Sequence, residues 1–248
     1  TKVEPLKLVE VFENVGLYEG VFMLLQPILE NVGDANTLLK FVESAIKCRQ
    51  FPDLEKFIKN FRGRYDPEKV MQVMVDSKIQ DPKSLVILCD QNSFIKEMVR
   101  YLWENNFNKY IEMYVIRINP KKSGEVLGCL LDLGAEDSYI RQFLLTVGGN
   151  CDAAEMVSEF EERNKLKLLE QWLEARAMEG NIKPEIHNAL AKLAIDFDKE
   201  PAKFLAENNF YDIKQIGKYA ENRDPHLALI AYKRDMSSCD YEIIELTN

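Results

Sequence analysis

Glycine and proline are scarce, at 11 and 9 of 248 residues. Together they make up about 8% of the chain, against an average near 12%. Sandwiches and barrels need both residues for tight turns, so the shortage argues against an all-β fold. Histidine is scarcer still. His187 and His226 are the only two, and no His-Glu-x-x-His or other ligand spacing joins them. Either could serve as a metal ligand or general base, but each sits near a helix-opening proline, Pro184 or Pro225, which favours packing. The chain also lacks G-x-S-x-G, G-x-x-x-x-G-K-S/T and G-x-G-x-x-G patterns, so no nucleophile elbow or phosphate loop is indicated.

Basic residues are outnumbered, 32 to 41, for a net charge of −9. A general nucleic-acid binder needs a basic stripe, so that class is disfavoured. The short clusters Arg62/Arg64 and Lys121/Lys122 lie close to acids and read as solvated helix ends. Cys48, Cys89, Cys129, Cys151 and Cys239 are odd in number and never form C-x-x-C. That usage suits a reducing compartment and small buried hydrophobes. No apolar run approaches the ~18 residues of a spanning helix; Val21 to Leu25 is stopped by Gln26 and Pro27. The sequence opens Thr-Lys-Val-Glu-Pro-Leu, with no initiator Met and no signal-peptide pattern. It is read as a segment of something longer.

Hydrophobic residues make up 46% and charged residues 29%, enough apolar surface to fold. The few prolines are placed informatively. Pro52, Pro67 and Pro82 are spaced by 15, and Asp66-Pro67, Asp81-Pro82 and Asp224-Pro225 repeat one signature. Aspartate at an N-cap accepts from a first-turn N–H, and proline at N1 has no N–H to lose. Pro27, inside Phe22–Val32, is the exception and predicts a kink or break. Asn105-Asn106, Asn119, Asn150, Asn164 and Asn181 punctuate the middle, and Gly148-Gly149-Asn150 reads as a C-terminal stop.

Between these stops the apolar spacing is helical. Leu190, Leu193, Ala194 and Phe197 form one stripe; Leu166, Leu169, Leu173 and Ala177 form another. Tyr110, Ile111, Tyr114, Val115 and Ile118 form a broader one, and Val70, Met71, Val73 and Met74 a shorter one. These positions are expected to be core. The 25 aromatics could stack bases, but their spacing in an acidic chain argues that they fill seams between helices. The acids Glu159, Glu161 and Glu162 read as a solvated helix face, and no spacing identifies a catalytic carboxylate pair.

A helix and turn every 15 residues makes a hairpin every 30, the period of α-solenoids. The fold class is therefore all-α: sixteen or seventeen short helices in stacked antiparallel hairpins. Residues 1–248 are expected to be one continuous segment without an internal linker. Eight pairs at the usual helix spacing would make a rod of roughly 80 Å. Glu104-Asn105-Asn106-Phe107 recurs as Glu207-Asn208-Asn209-Phe210, each after one apolar helix and opening another. The tetratricopeptide pattern does not fit around Trp103 or Trp172, and the ankyrin Thr-Pro-Leu-His signature is absent.

Several blocks resemble the clathrin heavy-chain family. They are Asn164-Lys165-Leu166-Lys167-Leu168-Leu169, Trp172-Leu173-Glu174-Ala175-Arg176 and His187-Asn188-Ala189-Leu190-Ala191-Lys192. Gly217-Lys218-Tyr219, Arg223-Asp224-Pro225-His226-Leu227-Ala228 and Ala231-Tyr232 follow in order. Tyr65-Asp66-Pro67-Glu68, Lys109-Tyr110-Ile111-Glu112, Gly128 and Leu130-Leu131-Asp132 extend the similarity upstream. There are departures. Cys48-Arg49-Gln50 lacks the glycine usual in that turn, and Asp235-Met236-Ser237-Ser238 is a slightly longer loop. The first 60 residues and Gln91 to Val99 match loosely, as in a divergent species.

The resemblance implies a distal-leg α-solenoid of a vesicle coat, a rod assembling laterally with other legs into a lattice for vesicle transport and endocytosis. It implies a cytoplasmic protein, peripheral on coated pits and coated vesicles. Trimer formation, light chains and adaptors belong to other regions of such proteins, so no residue here is assigned to them. Neither nucleic acid nor membrane insertion is implied, nor is enzymatic activity. No catalytic, cofactor or metal residue is carried over. A related solenoid of a vacuolar sorting or tethering complex, or a peptide-binding solenoid module, is the alternative.

Overall fold

The computed structural model describes residues 5–147, 151–198 and 200–247. Seventeen α-helices, linked by short turns, 3₁₀ segments and one π-helical turn over Tyr114–Ile118, make up the described residues, and none of these residues forms a strand. The all-α reading and the expected number of helices hold. The predicted stop at Gly148-Gly149-Asn150 lies outside the described residues. The chain forms two compact units, Thr1–Tyr114 and Val115–Asn248.

The first unit holds α1 (Pro5–Asn14), α2 (Tyr18–Leu25), α3 (Ala35–Lys47), α4 (Phe51–Asn60), α5 (Pro67–Asp76), α6 (Lys83–Asn92), α7 (Ile95–Glu104) and α8 (Asn108–Met113). The second holds α9 (Ser123–Asp132), α10 (Asp137–Thr146), α11 (Ala153–Glu162), α12 (Glu170–Met178), α13 (Pro184–Phe197), α14 (Pro201–Glu207), α15 (Ile213–Glu221), α16 (Pro225–Tyr232) and α17 (Asp240–Thr247). Within each unit a helix packs on the next helix and on the next but one. Examples are α3 on α4 and α5, and α13 on α14 and α15. The first contact closes a hairpin. The second stacks one hairpin on another, which is the packing of a solenoid.

The helices begin where the caps predict. Asp66 accepts from the backbone N–H groups of Glu68 and Lys69, with Pro67 at the first helical position. Asp224 accepts from that of His226 ahead of α16. Pro82 stands one residue before α6, yet Asp81 Oδ1 still accepts from Lys83 N at 3.1 Å. Pro27 breaks the chain as expected: α2 stops at Leu25 and a 3₁₀ turn runs from Gln26 to Asn31.

The stops are more uniform than the residues at them. Helices α1, α3, α6, α7, α9, α11 and α12 each close with paired backbone bonds, such as Gln50 N to Ala45 O and Arg49 N to Ile46 O. This is the Schellman motif, and it places one residue in the left-handed region. That residue is Gly16, Arg49, Ser93, Asn106, Gly134, Asn164 or Gly180. The turn that lacks its usual glycine is therefore built on the glycine backbone, with Arg49 at φ +56°. The repeated Glu-Asn-Asn-Phe differs between its two copies. Asn106 is left-handed at φ +61°, and α8 opens at Asn108. Asn208 is extended, its side chain accepts from Phe210 N, and α15 waits until Ile213.

Aromatic rings fill the seams. In the first unit Phe22, Phe41 and Phe57 stand in a row with centroids 5.4 and 5.3 Å apart, and Phe61 and Tyr65 pack on Phe57. In the second, buried Trp172 donates to the Val147 carbonyl at 3.2 Å. The core stripe of α13 ends one residue early: Leu190, Leu193 and Ala194 are buried, but Phe197 is 59% exposed. Phe197 is the last residue of the helix. Ile118, in the stripe from Tyr110, is likewise exposed.

Two substitutions test this packing. Leu193→Asp would bury an unpaired carboxylate, with an expected loss of about 3 kcal/mol or more; unchanged stability in urea denaturation would refute the α13 register. At Gly217, which the Tyr232 ring overlies closely, Gly217→Ala should destabilise by about 1–3 kcal/mol through overpacking. A variant with unchanged melting temperature would show that the ring can move aside.

Candidate functional site

The residues that sequence singled out as chemically capable are mostly engaged in structure. His187 is buried; its Nε2 lies 2.7 Å from Asn181 O and its Nδ1 2.9 Å from Asn208 Nδ2. A carbonyl can only accept, so the neutral ring protonated at Nε2 satisfies both bonds, and Phe210 packs against it at 4.9 Å. His226 is exposed in the first turn of α16. The two histidines are not brought together with each other or with cysteine into a ligand cluster: among the described residues no three His, Cys, Asp or Glu side chains form a metal-binding group.

All the cysteines but Cys48 are buried. Desolvation pushes the Cys89 thiol up to about 12, which leaves almost no thiolate at neutral pH. The short basic clusters act on backbone. Arg62 donates to Gln91 O at 2.7 Å, and Arg64 to Glu30 O and Val32 O at 3.0 and 2.5 Å. These carbonyls lie about thirty residues away in sequence, so both arginines tie neighbouring hairpins together. Lys122 pairs with Glu125 at 2.9 Å.

The acids on α11 are less idle than a solvated face. They belong to a polar ladder along one edge of the second unit, formed where the carboxyl ends of α9, α11, α13 and α15 lie side by side. Arg163 grips Asp132 with two donors, Nε to Oδ1 at 2.7 Å and Nη2 to Oδ2 at 2.6 Å. It also meets Glu159 at 2.7 Å. Glu161 pairs with Lys192 at 2.7 Å. Asp196 accepts from the Tyr219 hydroxyl and from Arg223 Nε, each at 2.6 Å. Each rung thus joins a helix to the next but one. Burial and the bond to Asp196 together push the Tyr219 hydroxyl well above the usual phenol range, so it stays a neutral donor at physiological pH. A cleft of about 390 Å³ opens beside the last two rungs, with Leu166 and exposed Phe197 in its wall. Sequence missed the ladder because the partners on facing helices lie 23 to 31 residues apart. The signal available was an acid and a base recurring at one hairpin period.

What the arrangement can do is bind hairpins to one another. No helix among the described residues is long and apolar enough to cross a membrane.

Comparison with known proteins agrees with that geometry. The family described as "Clathrin: Region in Clathrin and VPS" matches residues 2–137 and 144–248. The chain belongs to this family. Among relatives, a clathrin heavy chain of Dictyostelium discoideum is 44% identical over 247 residues, 100% of this chain and 14% of that protein. Clathrin heavy chain 2 of Homo sapiens is 40% identical over 97% of this chain, and a Drosophila melanogaster clathrin heavy chain 39% over 97%. The chain spans 14% of the length of each of these relatives. The family match thus takes in nearly all of the described helices.

The ladder gives a measurable expectation. Exposed pairs contribute about 0.2–1 kcal/mol each, so Arg223→Ala and Arg163→Ala should each lower stability modestly. Raising salt should shrink the difference from the parent protein, because exposed pairs are screened. A loss that does not change with salt would assign these arginines a packing role instead.

Proposed function

We propose that this chain is a structural leg segment of a vesicle coat. Its length would be one continuous α-solenoid that lies against neighbouring legs in a clathrin lattice. The observation that carries the reading is identity of 44% to a clathrin heavy chain sustained over 247 residues, on helices that pack each to the next and the next but one. A segment of this kind acts by stiffness and by weak lateral contacts. Assembly multiplies such contacts through effective concentration, so no single interface need be large.

The proposed partners are other heavy-chain legs. Trimer formation, light chains and adaptors are proposed for the longer protein and not for residues of this segment. The proposed role is mechanical and not enzymatic, in line with charged side chains that hold hairpins together. The place of action is the cytoplasmic face of coated pits and coated vesicles. The distal leg is the proposed position.

A chimera tests this. The matching stretch of the Dictyostelium heavy chain is replaced by residues 1–248, and the purified chimera is assembled into coats followed by sedimentation and electron microscopy. Closed coats are expected in amounts near the parent's. A chimera that folds and trimerises but forms no coat would overturn the reading. Small-angle scattering of the 248-residue chain should give an elongated particle about 80 Å long or more; a compact globule would refute the continuous solenoid.

A further inference from the structure

One cleft in the first unit stands out by charge. It measures about 170 Å³, room for roughly five or six waters at ~30 Å³ each. It lies where α3 and α5, which pack on each other, come to their carboxyl ends. Lys47, Arg49 and Lys78 line it, with Ser77 and Gln80 beside them, and no carboxylate does so. In a chain of net charge −9, three cations around one hollow without an acid are a departure from the surrounding surface.

The flanking acids are committed elsewhere. Asp76 accepts from Gln72 Nε2 at 2.8 Å, Asp53 pairs with Lys56 at 3.4 Å, and Asp81 pairs with Lys83 at 3.7 Å. Glu19, across the Cys48 thiol on the α2 side, makes no ion pair with Lys47, whose ammonium lies 3.6 Å over the Tyr18 ring. Among the described residues, Arg49 and Lys78 make no ion pair.

Backbone strain points to the same cleft. Five described residues other than glycine have positive φ, and the two charged ones, Arg49 at +56° and Lys78 at +46°, both line this hollow. They stand 29 residues apart, one hairpin period, at the stops of α3 and α5. Glycine would fit either backbone without penalty. A cation just past a helix end offsets the macrodipole, yet Lys47 already does so in the last turn of α3. Lys78 does the same for α5, whose last turn holds no basic residue, which leaves Arg49 as the cation that helix electrostatics do not require.

We propose that this cleft binds a phosphate group, held by Lys47, Arg49 and Lys78. A phosphate monoester carries about two negative charges and three acceptor oxygens, which matches three cations plus the Ser77 hydroxyl and the Gln80 amide better than a two-oxygen carboxylate would. The amino end of α4 adds to the field, since Gln50 gives it no side-chain cap and Phe51 borders the cleft. The phosphate can belong to a soluble small molecule or to an inositol lipid headgroup.

The test uses the 248-residue chain and glycine variants, which remove the charge while relaxing the backbone, so that failure to fold does not mimic loss of binding. Amide shifts are followed as inorganic phosphate is added, against chloride at matched ionic strength. Saturable shifts confined to residues 46–51 and 77–80 are expected, with affinity reduced about tenfold or more in Arg49→Gly/Lys78→Gly. Phosphatidylcholine vesicles with and without phosphatidylinositol bisphosphate form the second arm. Binding only to the bisphosphate vesicles, lost in the same variant, assigns the headgroup; phosphate binding without vesicle binding assigns a soluble ligand. Shifts equal to those with chloride, or phosphate binding undiminished in the double variant, would overturn the site.

Discussion

Every helix here is too short to stand alone. Isolated helices below about 12–15 residues are marginal in water, and most of these span about ten residues, the longest being the 14 of α13. Each therefore exists because of its neighbours. The contact that matters is burial against the next helix and the next but one. The caps, the stops and the polar ladder act within that dependence: they set where a helix begins and ends so that its apolar stripe meets the right partners.

The stops show which link of the chain from sequence to structure is rigid. Seven helices end in the same pair of backbone bonds, while the residue bent left-handed is glycine, asparagine, serine or arginine. A left-handed conformation costs an ordinary residue roughly 1–2 kcal/mol. The stacked hairpins hold the turn despite that cost, which is why Arg49 leaves the turn unchanged. Surface charge is arranged with similar economy: pairs such as Arg163–Asp132, Lys192–Glu161 and Arg223–Asp196 join residues about one hairpin apart, so polarity at the edge still contributes to stacking.

Helix type and most starts were legible in the sequence, because aspartate-proline caps and apolar stripes are local signals. Pro27 declared its break for the same reason. Both histidines follow a helix-opening proline, yet His187 is buried and His226 is exposed, so that placement alone did not decide packing. What escaped were features set by long-range position. Phe197 fits the stripe of α13, yet nothing in the stripe says that this last residue of the helix stays exposed. Asp132 and Arg163, or Asp196 and Arg223, are ordinary surface charges until stacking brings them together. The positive φ of Arg49 and Lys78 left no trace in composition, since the usual marker of such a turn is glycine. The twin Glu-Asn-Asn-Phe segments misled in the opposite sense: identical residues adopted different turns because different helices follow them.

The packing rule has a consequence for how the chain is made. Helices that pack closely are never more than two apart in order, so the contacts that stabilise a hairpin span little more than thirty residues. Ribosomes deliver roughly 5–20 residues per second, so each hairpin finds its full set of partners within seconds of emerging. No strand must wait for a distant mate, and little apolar surface stays bare during synthesis. A long chain of such hairpins can fold in the order in which it is translated, with the last hairpin made always serving as the template for the next.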